Sequence, residues 1–167
     1  MKKYIVFVFI IITSISSCHY LYKVNSTSEK EIFFPESMNE FINKCLKENN
    51  YILISYIDSA ACTPCSLTPL TYWKYRKYDM NRFKINIILI IQNSDHELIN
   101  HLLDDSGISH PVIFDEKGEF LLKNDLFDNN IIINEDKKVI WTGNPVGDDN
   151  EWNMFIRKLE LLNKQKR

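Results

Sequence analysis

Glycine and proline are scarce in this chain, four and five among 167 residues, which excludes collagen-like, linker-like and low-complexity architectures. Cysteine is scarce too: four residues are too few for a small disulfide-knotted scaffold. Neither sign of charge dominates. The 20 basic and 22 acidic residues leave a formal net charge of −2, so there is no electrostatic footprint for nucleic acid. No apolar run reaches the roughly 20 residues that a membrane-spanning helix needs. What is present is 45% hydrophobic and 25% charged residues, the balance of a globular chain rather than a disordered one. One domain is expected at this length, since domains run ~100–200 residues. Such a chain buries roughly 68–70% of its unfolded surface without a covalent scaffold.

Lys2 and Lys3 precede an apolar run from Tyr4 to Ile12, and Thr13-Ser14-Ile15-Ser16-Ser17-Cys18 follows. A basic start, an apolar centre and a small-residue exit form the pattern of an export signal. The stretch Ile15-Ser16-Ser17-Cys18 resembles the bacterial lipobox, in which an aliphatic residue and two small ones precede the cysteine that is lipidated. The resemblance implies a lipoprotein signal peptide over residues 1–17 and lipid on Cys18 as the mature N-terminus. An ordinary signal peptide or an uncleaved anchor, with Cys18 incidental, is the alternative. Cleavage there leaves 18 basic and 22 acidic residues, net −4. Residues 18–35 read as a polar tether and residues 36–167 as the folded domain. Attachment through several acyl chains is stable where a single chain is marginal.

From Pro35 onward the pattern becomes regular. Met38, Phe41, Ile42, Cys45 and Leu46 recur at helical spacing, with Asn49-Asn50 as a stop. Tyr51 to Ile57 is a nearly continuous apolar run, suited to a strand covered on both faces. A helix is expected from Cys62 to about Tyr78, with Pro69 placed to kink it. Ile85 to Ile91 is a second buried strand, and Ser94-Asp95 cap a helix that ends before Gly107. Pro111 to Asp115 reads as a short strand, Glu116 to Glu119 as a turn, and Asn129 to Asn134 as a third strand. Lys138 to Gly143 returns across a tight turn as a hairpin partner. Trp152, Phe155, Ile156, Leu159 and Leu162 line one face of a closing helix. Strands alternating with helices indicate parallel pairing and the hairpin adds antiparallel strands, giving an α/β fold: a mixed central sheet with helices on both faces.

Cys62-Thr63-Pro64-Cys65 sits where the first buried strand hands over to a helix. Cysteines three apart at a helix start bring their sulfurs within disulfide reach. Unpaired N–H groups and partial positive charge at a helix N-terminus stabilise a thiolate. Pro64 has no N–H to lose in the first turn. Cys62 and Cys65 are therefore the candidate catalytic residues, the first attacking and the second resolving. A static disulfide is the main rival. A zinc site wants a second ligand pair, which Cys45 and a histidine would only improvise. Haem attachment needs a histidine where Ser66 stands.

With the elements around it, this stretch resembles the thioredoxin-like family over residues 36–163, and more narrowly the small thioredoxin-like lipoproteins of Bacteroidetes. The matching segments are Tyr56 to Ser59 leading into the cysteine pair, Pro111 to Glu116, and Ile132 to Asn134 through Lys138 to Ile140, ending in Gly143-Asn144-Pro145. The resemblance implies a thioredoxin-like fold and a redox-active dithiol that needs no cofactor and no metal. It also implies a protein disulfide substrate and an envelope redox partner. Three departures go with it. Asp128 or Asn129 stands where most thioredoxins carry a cis-proline, and a non-proline residue there is expected to be trans. Ala61 replaces a tryptophan. Tyr56 replaces a buried acid, with Asp58 the nearest carboxylate.

Elsewhere, Cys45 reads as a buried thiol on a helix face. His96 and His101 read as surface residues, and His110 shows no ligand spacing with the cysteines. Tyr72, Trp73, Tyr75 and Tyr78 form an aromatic cluster in which Tyr72 or Trp73 borders a binding patch at most. His19 to Lys23 lacks the acidic cluster of surface-exported lipoproteins. The expectation is thus a monomeric, lipid-anchored thiol-disulfide oxidoreductase of the bacterial envelope, attached through Cys18 and facing the periplasm. A non-catalytic binding lipoprotein and a peroxide-reducing redoxin, the latter calling on Arg76 or Arg82, are the rivals.

Overall fold

The computed structural model describes residues 30–58, 63–125 and 129–164, with side chains in the helix that opens at Thr63 described from Leu70 onward. Two isoleucine-rich heptapeptides set the architecture. Tyr51–Ile57 (β1) and Ile85–Ile91 (β2) pair in parallel, Tyr51 opposite Ile85 through Ile57 opposite Ile91. Because successive side chains leave a strand on opposite faces, a run that is apolar throughout must be covered twice. Leu53 and Ile57 enter one layer with Leu70, Trp73 and Phe155, whereas Ile52, Ile54 and Tyr56 enter the other with Met38, Ile42 and Phe120.

The sheet has five strands in the order β3-β2-β1-β4-β5, with β3 at Val112–Phe114, β4 at Asn130–Asn134 and β5 at Val139–Gly143. The β2–β3 pair is parallel, while β1–β4 and β4–β5 are antiparallel, so the mixed sheet expected from the sequence is the one observed. Helices α1 (Glu36–Glu48), α2 (Thr63–Arg82), α3 (His96–Asp105), α4 (Glu119–Asn124) and α5 (Asp149–Lys164) cover it. Side chains from α2, α3 and α5 fill the first layer, and those from α1 and α4 the second. Asp95 caps α3 by accepting the Leu98 N–H at 3.0 Å. Asp148 Oδ1 does the same for Asn150 and Glu151 at the start of α5, at 2.8 and 3.1 Å.

Two parts of the chain exceed the reading from sequence. Ile32 and Phe34 are each only 2% exposed. The Ile32 N–H donates to Lys137 O at 2.9 Å and the Val139 N–H to Lys30 O at 3.0 Å. Packed structure therefore reaches back to Lys30, into the stretch read as tether; residues 18–29, Cys18 and the leader lie outside the described residues. The second is α4, where only a turn was expected. Gly118 enters it at φ 66°, and Asp115, just past β3, accepts N–H bonds from Glu119 and Phe120, both at 3.0 Å. No helix among the described residues is long and apolar enough to cross a membrane.

Candidate functional site

The candidate site lies at the end of the sheet where β1 and β2 finish and β4 begins. β1 stops at Ile57 and α2 starts at Thr63, one residue after Cys62. Cys62 is outside the described residues; Cys65 belongs to the first turn of α2, but its side chain is not among those described. Backbone hydrogen bonds frame this end of the sheet. The Gln92 N–H donates to Ile57 O at 2.9 Å, tying the end of β2 to that of β1, and the Tyr56 N–H donates to Asn129 O at 2.7 Å. No peptide bond among the described residues is cis; Asn129 is described and Asp128 is not.

On the α1/α4 face the frame carries Tyr56, 3% exposed. Its hydroxyl donates to Gln92 Oε1 at 3.1 Å, with Asp115 Oδ2 at 3.5 Å, and its ring stacks on Phe120 with centroids 5.9 Å apart. Burial above all, then the negative charges of Asp115 and Asp58 and the bond to Asp115, push the phenol well above its ordinary range. A phenol held this firmly protonated does not take the place of a carboxylate as a proton-exchanging group near neutrality. Asp115, buried at 4% exposure, is committed to the α4 cap.

The α2/α5 face differs. Ser55 and Asn130 are register partners across β1 and β4, and both are almost fully buried, at 1% and 2%. Trp73 Nε1–H donates to Ser55 Oγ at 3.1 Å. Asn130 Nδ2–H reaches Asn144 Oδ1 only at 3.4 Å, and Asn130 Oδ1 has no hydrogen-bond partner among the described residues. An unsatisfied buried acceptor of this kind costs about 1–3 kcal/mol. Gly143 is Asn130's partner on β5. A Cβ there would sit 2.5 Å from the Trp141 ring and 3.0 Å from Glu151 Oε2, so close approach restricts this position to glycine. The sequence carried a signal for this buried polar pair in the hydroxyl of Ser55, set inside an otherwise apolar strand.

The other expected residues fall as follows. Cys45 is a buried free thiol, raised above its ordinary range chiefly by burial and further by Glu48, with Lys44 opposing. His96 stacks on Phe114 at 3.8 Å between centroids and lies 3.0 Å from Glu116, while His101 pairs with Asp105 at 2.9 Å. His110 Nε2 faces Trp73 O at 3.3 Å. Trp73 is wholly buried and Tyr72 packs edge-on against it and Trp152, so the surface members of the aromatic cluster are Tyr75 and Tyr78, 75% and 82% exposed. Arg76 lies 4.0 Å over the Trp152 ring and 3.6 Å from Asp79, and Arg82 sits 3.7 Å from Glu160. Both arginines are engaged away from the cysteine segment.

An uncharacterized thioredoxin-like protein from Porphyromonas gingivalis superposes over 71% of this chain and 78% of its own, with a TM-score of 0.54 at 20% identity. The fold is thioredoxin-like. A thiol:disulfide interchange protein from Bacteroides sp. matches over 74% of this chain and 78% of its own, with a TM-score of 0.53 at 11% identity. Peroxidoxin BcpB from Mycobacterium tuberculosis shares the fold over 72% and 84%, with a TM-score of 0.57 at 10% identity. No protein-family model and no curated protein matches the chain. In this thioredoxin-like frame Cys65 belongs to the first turn of α2, the helix that follows the carboxyl end of β1.

Proposed function

We propose that the chain is a thiol-disulfide oxidoreductase working through Cys62 and Cys65. The observation that carries this reading is the start of α2 at Thr63, at the carboxyl end of a buried strand in a thioredoxin-like sheet. A helix N-terminus favours thiolate there. The Cys62 thiolate attacks one sulfur of a substrate disulfide, a mixed disulfide forms, and the first substrate thiolate leaves. Cys65, losing its proton, attacks Cys62 Sγ and releases the second substrate thiolate; the Cys62–Cys65 disulfide closes, and both leaving thiolates take protons from solvent. Two electrons have passed to the substrate, and a dithiol donor in the envelope returns them. The protein acts as a monomer held at the membrane by lipid on Cys18, facing the periplasm.

One observation favours a second reading, a tethered binding scaffold in which the same disulfide is a permanent staple: β4 is entered through Asn129 rather than a proline. A peroxidase has less support, because Arg76 and Arg82 are both paired elsewhere. The deciding experiment is substrate trapping from envelope extract. Cys65→Ser is expected to accumulate mixed disulfides through Cys62, and Cys62→Ser to abolish both trapping and reduction of a protein disulfide. Absence of any trapped species, together with a potential below about −300 mV for the pair, where structural bridges lie, would establish the staple instead.

A further inference from the structure

The described chain enters the domain beside α4, and large apolar side chains are exposed there. Phe33 is 45% exposed and Leu122, on α4, 78%. Phe33 is held in place: Asn124 bonds both of its backbone groups at 2.8 Å, and Lys123 Nζ lies 4.5 Å over its ring. Lys123 is also 3.5 Å from Glu119, and Lys30 donates to the Asn124 carbonyl. Apolar side chains flanked by lysines suit a surface that lies at the boundary between lipid headgroups and acyl chains. Reach singles out this face. Twelve chain steps separate Cys18 from Lys30, at most roughly 40 Å when fully drawn out, against about 35 Å across a domain of this size. Tyr75 and Tyr78, 75% and 82% exposed on α2, belong to the helix that covers the opposite face of the sheet. They could meet lipid around Cys18 only with those steps near full stretch, whereas Phe33 and Leu122 meet it with slack.

We propose that this face, Phe33 and Leu122 flanked by Lys30 and Lys123, rests on the membrane surface, with the two apolar side chains entering the headgroup layer. This rests on the lipid attachment at Cys18 proposed above and adds an orientation to it. At a net charge of −4 after cleavage, the molecule as a whole is repelled by anionic lipid. Contact is therefore made by apolar side chains, at a place where Lys30 and Lys123 offset the nearby acid Glu119. The lipid anchor brings the face to the bilayer and the apolar contact fixes how the domain stands on it. The α1/α4 side then turns to the lipid, and α2, across the sheet, stays open to soluble partners.

The test uses the full chain purified from membranes, with Cys62→Ser and Cys65→Ser so that a thiol-reactive, polarity-sensitive dye meets only the cysteine introduced; Cys45 is buried. The dye is placed on Leu122→Cys or on Tyr78→Cys, both strongly exposed positions. The protein is reconstituted in vesicles of phosphatidylethanolamine and phosphatidylglycerol, with or without brominated acyl chains. Under the proposal the dye at 122 shifts to the blue and loses intensity to the brominated lipid, while the dye at 78 does neither. Adding Phe33→Glu to the Leu122→Cys protein is expected to abolish the shift. Quenching at neither position, or at 78 as strongly as at 122, overturns the proposal. A shift at 122 in native envelope membranes but not in lipid vesicles also overturns it and assigns the face to a protein. The mass of the mature N-terminus is read first. A Cys18 without lipid refutes the attachment and the orientation together, whereas a lipidated protein with no contact at 122 refutes the orientation alone.

Discussion

Tyr56 shows what one side chain contributes at the candidate site and what it does not. Its hydroxyl links Gln92 to the neighbourhood of Asp115, and its ring packs on Phe120, so it braces the end of β1 against β2 and α4. Tyr56→Phe keeps the ring and removes the donor, leaving Gln92 Oε1 without it. Gln92 is partly exposed and water replaces some of the loss, so the expected cost is about 1 kcal/mol, read as a lower urea midpoint at unchanged m-value. Because the phenol stays protonated near neutrality, disulfide reduction by Tyr56→Phe is expected to match the unmodified protein there. A large fall in rate without loss of stability would show that the hydroxyl takes part in proton transfer. At this scale the sequence was partly legible. Burial of Cys45 followed from its place on an apolar helical stripe, and the loss of an acid at position 56 was plain. The unpaired Oδ1 of Asn130 was not, because it depends on which residue stands opposite in a register that no local pattern determines.

The same contrast governs the elements. β1, β2, α1, α3 and α5 were readable because each repeats its period over seven residues or more and ends on a cap or turn that agrees with it. α4 was hidden. Its six residues are too few to show a period, and an isolated helix of that length is unstable in water. Its support comes from outside the element. Asp115 caps its N-terminus, and buried Asn124 at its other end accepts the Phe33 N–H at 2.8 Å and donates to Phe33 O at 2.8 Å and Phe120 O at 2.7 Å. Lys30 also donates to the Asn124 carbonyl. Residues 33 and 124 are 91 apart in sequence, beyond the reach of any window reading. Asn124 thus satisfies both backbone groups of Phe33 as a neighbouring strand would, and it secures the segment by which the domain joins whatever precedes it. Asn124→Ala is expected to cost about 1–3 kcal/mol and to speed amide exchange at Ile32 and Phe33 while leaving the β1–β2 ladder protected. Asp115→Ala is expected to cost about 1–2 kcal/mol through the lost cap and to expose the α4 amides first. Uniform acceleration across the sheet in either variant would mean that α4 has no separate role in holding the entry segment.

Across the whole molecule these buried groups add up to a definite response to pH. Burial is the leading cause of the upward shift at Cys45, Tyr51, Tyr56 and Tyr72. Each therefore keeps its proton in the native state after the unfolded chain has released it. The native state then binds more protons than the unfolded one, so stability falls as pH rises past the ordinary values of 9.0 for the thiol and 10.0 for the phenols. A single fully retained proton removes roughly 1.4 kcal/mol per pH unit. Tyr56 is the most strongly shifted of the four, and its removal reports on the slope. On the acid side His110 acts in the opposite sense. Burial is the main cause holding it below its ordinary 6.5, with Lys77 adding to this and the Trp73 carbonyl opposing. The unfolded chain takes up that proton first, so stability declines as pH drops below 6.5 toward the folded-state value. The expected profile of urea midpoints is a plateau through neutrality with a shallow acid limb and a steep alkaline one. Tyr56→Phe should start lower on the plateau and lose part of the alkaline slope, so that the two curves converge by about pH 11. Parallel alkaline limbs would mean that the phenol ionises as readily inside the fold as outside it, and would take with them the argument that Tyr56 is unfit for the proton-exchanging role of an acid.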